Sequence, residues 1–385
     1  MLLEALPTPF LVVDERRLSL NLDRMQARAR TQAVALRPHT KTHKSVALAR
    51  EQAERGATGI TVAKPSEAEV FVRAGFGDVT IAYTLASESH FAKVAELIPQ
   101  AKIRFCVDSV PGARRASAFF SACGMEAEVL LEVDSGQHRC GVLPADALAV
   151  AREVASLPGL HLVGALTHEG HSYHGPREGE SREEALRRAM TDGREALLSV
   201  ATTLGEAGWA HPATFILSQG STPSMRVFEN RTERGFRITE VRPGNYVFHD
   251  LSQVQLGTCT LEDCALTVLT TVVGVYKGQG GTARVVLDAG KKTLSSDLCP
   301  GHPGYGLALY NPRTMRPLPH TVVSRLSEEH AVLDVRGHAT LAVGDRLRLV
   351  PNHACVVMAT QTQYALLSPT DEVRIERIDA RDGVR

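Results

Sequence analysis

The chain has 385 residues, 43% hydrophobic and 22% charged, with a formal net charge of +0. That balance lacks the basic excess that nucleic acid or an anionic membrane surface would select. No apolar run approaches the ~18 residues of a membrane span, and Met1-Leu-Leu-Glu-Ala-Leu6 lacks the basic start of a signal peptide, so a cytoplasmic protein is expected.

Apolar runs alternate with amphipathic stretches along the first two thirds of the chain. Strands are predicted over 33–36, 59–63, 79–83, 102–107, 128–133, 162–166, 214–217 and 241–247. Helices fall between them, as in 66–74 and 145–154, and several stop on glycine (Gly56, Gly75, Gly208). Eight strands alternating with helices predict a (β/α)8 TIM-type barrel over residues 10–255, with a doubly wound open sheet as the competing topology. From about Leu256 the segments become short, β-branched and glycine-punctuated, as in 267–275, 283–287 and 346–350. Residues 256–385, with 1–9, are read as a second, mostly-β domain.

Chemistry-bearing residues collect after the predicted strands, where a barrel places its active site. His39 and Lys41 follow the first, within Arg37-Pro-His-Thr-Lys-Thr-His-Lys44. A lysine held among polar partners at such a face is suited to Schiff-base chemistry. Asp134, Gln137 and Arg139 follow the fifth strand, and Arg139 has two readings, a group for a flat cofactor or carboxylate and a structural partner of Asp134. The sixth leads into His168-Glu-Gly-His-Ser-Tyr173-His, read as a pocket wall with a histidine available as acid or base. Ser218-Gln-Gly220-Ser221-Thr222-Pro and Pro243-Gly244-Asn245-Tyr246 occupy the two loops where barrels hold phosphate.

Seven cysteines are scattered without a Cys-x-x-Cys pair, so neither a disulfide framework nor a zinc ribbon is indicated. His353-Ala-Cys355 stands apart. On an extended strand these alternate side chains would share one face, where imidazole with thiolate could hold one ion and would favour zinc over magnesium or calcium; a chance pair is the other reading of the spacing alone.

Taken together, Thr8-Pro-Phe-Leu-Val-Val-Asp14, the Arg37–Lys44 run, Asp134–Gly141, Gly220–Pro223, Pro243–Tyr246 and His353–Cys355 resemble the D-threonine aldolase / D-serine dehydratase family of pyridoxal-phosphate enzymes, alanine racemase-like in fold. The resemblance implies that Lys41 is the Schiff-base lysine and that His39, Arg139, Tyr173, Ser218, Gly220, Ser221, Thr222, Gly244, Asn245 and Tyr246 surround pyridoxal 5'-phosphate. It implies a metal on His353 and Cys355, zinc or alternatively manganese. Cysteine at the second position resembles the zinc-dependent dehydratase branch, where aldolases tend to have aspartate. The expected activity is dehydration and deamination of a small D-β-hydroxy-amino acid. Retro-aldol cleavage, racemisation and a non-catalytic cofactor-binding protein are the alternatives, and a homodimer is implied.

Overall fold

The computed structural model describes residues 2–277, 282–310, 313–336 and 341–385. Contacts divide it into two compact units, Met1–Asp23, Thr42–Ser45 and Asn245–Arg381 in one and Arg24–Lys41, Val46–Gly244 and Asp382–Arg385 in the other.

In the second of these, eight strands form an all-parallel sheet: Ala35–Leu36, Ile60–Val62, Asp78–Thr84, Lys102–Val107, Ala127–Glu132, Leu160–Leu166, Ile216–Gln219 and Glu240–Val241. Its edges meet, because Thr58 N–H donates to Leu36 O at 2.9 Å and Thr61 N–H to Pro38 O at 2.8 Å. The sheet is therefore a closed barrel, which rules out the doubly wound alternative. Its strands are buried on both faces, as parallel strands under helices must be (all of Phe105, Cys106 and Val107, for example). Local chemistry agrees with the pattern. Ser181 caps helix Arg182–Glu206 in a reciprocal capping box with Glu184, and Gly56, Gly75 and Gly208 end helices with φ of 107°, 96° and 82°. Phe91, Phe105, Phe119 and Phe120 pack strand against helix, with ring centroids 5.4–6.2 Å apart.

The expected eighth strand, 241–247, is shorter. Pro243 supplies no N–H to a ladder, so pairing ends at Val241 and a 3-10 turn, Asn245–Val247, follows. The interior is wired by charge: Arg37 meets Glu240 at 2.7 Å and Asp78 at 2.8 Å, and Arg104 meets Asp78 at 2.7 Å.

The other unit is built on a nine-stranded sheet, in the order Thr321–Leu326, Ala331–Arg336, Thr282–Leu287, Leu266–Lys277, Phe10–Asp14, Gln363–Leu367, Val373–Arg377, with Arg346–Val350 and Leu307–Leu309 branching from Leu266–Lys277. It is antiparallel apart from Phe10–Asp14 beside Gln363–Leu367. Phe10–Asp14, which the sequence boundaries put with the barrel, is thus a central strand here, Val12 pairing with Thr267 and with Ala365. Asn245–Gln255 falls in the same unit, ahead of the expected break at 256. Leu3, Leu6, Val12, Leu269 and Ala365 belong to one of its buried clusters, and Leu251, Cys264, Cys299, Leu309 and Val350 form another.

Candidate active site

Lys41 lies in the 3-10 turn Thr40–Thr42 that follows the first barrel strand. The turn is pinned beneath it. Thr40, fully buried, donates to Thr61 O at 3.1 Å and sits 3.0 Å from Glu67 Oε1, while Glu67 Oε2 accepts Ala63 N–H at 2.7 Å. The Lys41 side chain is exposed, and its backbone N–H points to His39 Nδ1 at 3.4 Å.

His168 comes from the sixth strand end. Burial and the nearby Lys41 charge push its pKa down to about 3, so the ring is neutral. Its Nδ1 faces Gly220 O at 3.0 Å; a carbonyl only accepts, so the proton sits on Nδ1 and Nε2 is bare. Arg139 and Arg242 also act on this imidazole. Arg139 is 55% exposed and 4.0 Å from Glu132 Oε1 rather than paired with Asp134, whose carboxylate holds His138 at 2.9 Å. Cys140 also meets Glu132, at 3.0 Å, and burial raises its thiol to about 11.

The seventh strand delivers Gly220 with φ +152°, and a Cβ there would lie 2.6 Å from Arg242 N. Only glycine permits this approach. Ser221 then caps the short helix Thr222–Met225, and both Ser221 and Thr222 are buried. A bare backbone turn with small hydroxyls at a helix start is chemistry that fits a phosphate. Ser218 is differently employed: its hydroxyl donates to Glu240 Oε1 at 2.6 Å and accepts from Arg242. Tyr173 ends the 3-10 turn Gly170–Tyr173 and is exposed. Gly244 follows Pro243, whose carbonyl accepts His39 N–H at 3.0 Å.

In the β unit, His353 is extended (φ −141°, ψ 105°) at the position just before helix Ala354–Ala359, with no cap hydrogen bond from its side chain, so Cys355 is helical. The expected strand is absent there. The two side chains nonetheless lie close enough across the turn into the helix to act on each other's charge. Burial opposes charge on both, but each stabilises the other: His353 rises to about 10, helped by Asp250 and Asp297, and the Cys355 thiol falls, helped by Thr42. His353 Nδ1 is 2.6 Å from Asp297 Oδ2, and Cys355 Sγ is 3.3 Å from Thr42 Oγ1. Imidazole with a thiol inclined to ionise is a donor set for a soft or borderline divalent metal. Among the described residues no group of three or more His, Cys, Asp and Glu is placed to hold a metal, so this is a two-residue set.

Asn245 and Tyr246, expected around the phosphate, belong to this unit. Asn245 Nδ2 donates to Asp250 Oδ2 at 2.6 Å and lies 3.7 Å from Cys355 Sγ, while the Tyr246 side chain is buried. Sequence reasoning missed Asp250, Asp297 and Arg242. Asp250 carried one local signal, an aspartate directly before the apolar start of helix Leu251–Gln255.

The alanine racemase N-terminal domain family matches residues 13–252, and the putative serine dehydratase domain family matches 265–367. The D-threo-3-hydroxyaspartate dehydratase of Delftia sp. (strain HT23) is 35% identical over 96% of each chain. Its solved structure covers 98% of both chains with a TM-score of 0.88, and a cysteine-to-alanine mutant of that enzyme is in the metal-free form. The D-threonine aldolase of Arthrobacter sp. is 33% identical over 98% of this chain and 90% of its own. The D-serine dehydratase of Dictyostelium discoideum is 25% identical over 96% of this chain and 95% of its own. Barrel, β unit and relatives agree, and the chain belongs to the D-threonine aldolase / D-serine dehydratase family of pyridoxal-phosphate-dependent lyases, alanine racemase-like in fold.

Proposed function

We propose that the protein dehydrates a D-amino acid bearing a β-hydroxyl, giving a 2-oxo acid and ammonia with pyridoxal 5'-phosphate and zinc. The pairing of His353 with Cys355 carries this reading, because a thiol in the donor set selects zinc over harder ions. The metal-free cysteine-to-alanine form of the Delftia dehydratase supports it.

When bound, pyridoxal phosphate draws electrons from the α-carbon and the metal draws them from the β-oxygen. In this reading Lys41 Nζ holds the cofactor and then takes the α-proton. Neutral His168 keeps the Gly220 carbonyl turned toward its Nδ1–H, which orients the turn for the phosphate. Gly220, Ser221, Thr222 and Gly244 form the cradle, and Arg139 offers a cation to the cofactor ring or to a substrate carboxylate. In the β unit, His353 and Cys355 hold the metal, with Asp250 and Asp297 setting their orientation. Hydroxide lost from the β-carbon is regained as water when the nitrogen leaves, so the net products are the oxo acid and ammonium.

Retro-aldol cleavage to glycine and an aldehyde is the second reading, favoured by the 33% identity to the Arthrobacter aldolase. We further infer a homodimer and a cytoplasmic location; among the described residues no helix is long and apolar enough to cross a membrane.

The test is to give the zinc-loaded holoenzyme D-serine, D-threonine and D-3-hydroxyaspartate, with and without chelator. Oxo acid and ammonia that vanish with chelator are expected. Glycine and an aldehyde would transfer the assignment to the aldolase reading, and turnover indifferent to chelator would remove the metal from it.

A further inference from the structure

The loops after the sixth and seventh barrel strands are stitched together residue by residue. Thr167 N–H donates to Ser218 O at 3.0 Å, His168 Nδ1 to Gly220 O at 3.0 Å and Gln219 Nε2 to Glu169 Oε1 at 2.5 Å, while the Ser172 and Ser221 hydroxyls lie 3.0 Å apart. The Glu169–Gln219 stitch is chemically unlike the others. Both side chains are fully buried, and Gln219 Nε2 spends its second proton on Met190 O at 2.9 Å. That leaves Glu169 Oε2 and Gln219 Oε1 without a hydrogen-bond partner.

Two buried bare acceptors, one on each member of a touching pair, are unfavourable. One proton on Glu169 Oε2 cures both, because it turns one acceptor into a donor for the other. The helix opposite makes room for the pair. A Cβ on Gly193 would come 2.5 Å from Glu169 Cγ and 3.0 Å from Gln219 Nε2.

We propose that Glu169 rests as the undissociated acid, donates to Gln219 Oε1, and acts as a positioning residue for the Gly220–Thr222 turn. The positioning half of this rests on the reading of that turn as the phosphate cradle. A neutral clasp suits the place, since a carboxylate beside the cradle would repel a bound phosphate. Burial is the main influence on the acid and holds its pKa up at about 7, against the opposing pull of Gln219, its own backbone N–H, Arg242 and Ser224. On the packed elements, Asp192 is paired with His171, Arg188 with Glu180, Arg194 with Glu195 and Asp134 with His138, while Arg139 lies 4.0 Å from Glu132. His168 on its own loop is neutral.

The experiment compares the wild-type apoprotein with Glu169→Gln, which keeps the shape and cannot ionise. Difference infrared spectra should show the carbonyl stretch of an undissociated carboxylic acid at about pH 6, absent from the variant and fading above about pH 7. The acid's pKa is raised on folding, so wild-type stability relative to the variant should fall between about pH 4.5 and 7 and level off beyond. Pyridoxal-phosphate affinity of the wild type should weaken as pH rises past 7, up to about tenfold per pH unit, more steeply than that of the variant. Absence of the acid band overturns the protonation. Parallel affinity curves overturn the positioning role. An apoprotein that binds no pyridoxal phosphate at any pH overturns the cradle reading and the positioning with it, while the infrared result still decides the state of Glu169.

Discussion

Asp250 Oδ2 accepts the backbone N–H of Ala354 at 2.9 Å, so one buried carboxylate secures the first turn of the helix that carries Cys355. The same oxygen accepts from Asn245 Nδ2 at 2.6 Å, and Oδ1 caps helix Leu251–Gln255 through Gln253 N–H at 3.0 Å. Asp250→Ala strands three buried donors. Lost capping alone costs roughly 0.5–2 kcal/mol and each orphaned donor about 1–3 kcal/mol. A net loss of about 3 kcal/mol in chemical denaturation is the expected outcome after partial relaxation. Zinc affinity should fall about 10- to 100-fold, the usual effect of removing an outer partner of a metal site. Unchanged zinc affinity would mean that Asp250 serves only the fold.

Cys355→Asp tests the donor chemistry directly. A carboxylate in place of the thiol should weaken zinc and shift the preference toward manganese, since oxygen donors suit the harder ion. Metal content after dialysis against a mixture of the two reads the outcome. An unchanged zinc-to-manganese ratio would show that Cys355 does not touch the metal.

Lys41→Ala removes the amine assigned both to holding the cofactor and to taking a proton. Turnover should drop by at least about 10²–10⁴-fold, the range for a lost acid–base group. Absorbance of added pyridoxal phosphate should stay that of the free aldehyde, whereas the wild type shifts it. A wild-type-like shift in the variant would assign the covalent hold to another lysine.

The barrel's charge network predicts an acid limb to stability. Burial works against ionised Glu240, yet Arg37 at 2.7 Å, Ser218 and Arg242 keep its pKa below the usual 4.5. A pKa lowered on folding adds stability that is present above the unfolded value and lost as pH falls through the folded one. Glu240→Gln should therefore show a shallower fall in stability below about pH 4.5 than the wild type. At neutral pH it leaves Arg37 short of one buried partner and should cost roughly 3–5 kcal/mol. Urea unfolding across pH separates the two effects, and identical acid slopes would take Glu240 out of the acid transition.

Much of this molecule is legible from periodicity. Seven of the eight barrel strands lie within a few residues of their expected places, because a parallel strand under helices is an unbroken apolar run bounded by turn residues. The eighth is expected too long because Tyr246 and Val247 extend the pattern begun at Val241, while Pro243 ends the ladder. The sequence puts His353 and Cys355 on one face of a strand, whereas the chain turns there, with His353 at the start of helix Ala354–Ala359 and Cys355 inside it. Asp297, 56 positions from His353, and Asp250, 104 positions from Ala354, had no local signal linking them to that site. The Glu169–Gln219 stitch is likewise a product of strand order, with 50 residues between its members.

Gly220 offers a test in which backbone strain and close approach can be separated. Gly220→Ala must accept φ +152° and place a Cβ 2.6 Å from Arg242 N, whereas Gly175→Ala accepts φ +76° with nothing within 4 Å. Left-handed backbone alone costs an alanine roughly 1–2 kcal/mol, so Gly175→Ala should lose about that much and keep wild-type affinity for pyridoxal phosphate. Gly220→Ala carries the additional clash with a backbone atom, which cannot rotate away. It should lose more stability, about 3 kcal/mol, and move the turn that also holds Ser221 and Thr222. Pyridoxal-phosphate affinity should fall with it, while affinity for pyridoxal, which has no phosphate, changes less. Equal losses for the two ligands would show that the turn does not meet the phosphate, and equal stability losses for Gly220→Ala and Gly175→Ala would show that the chain around Arg242 yields.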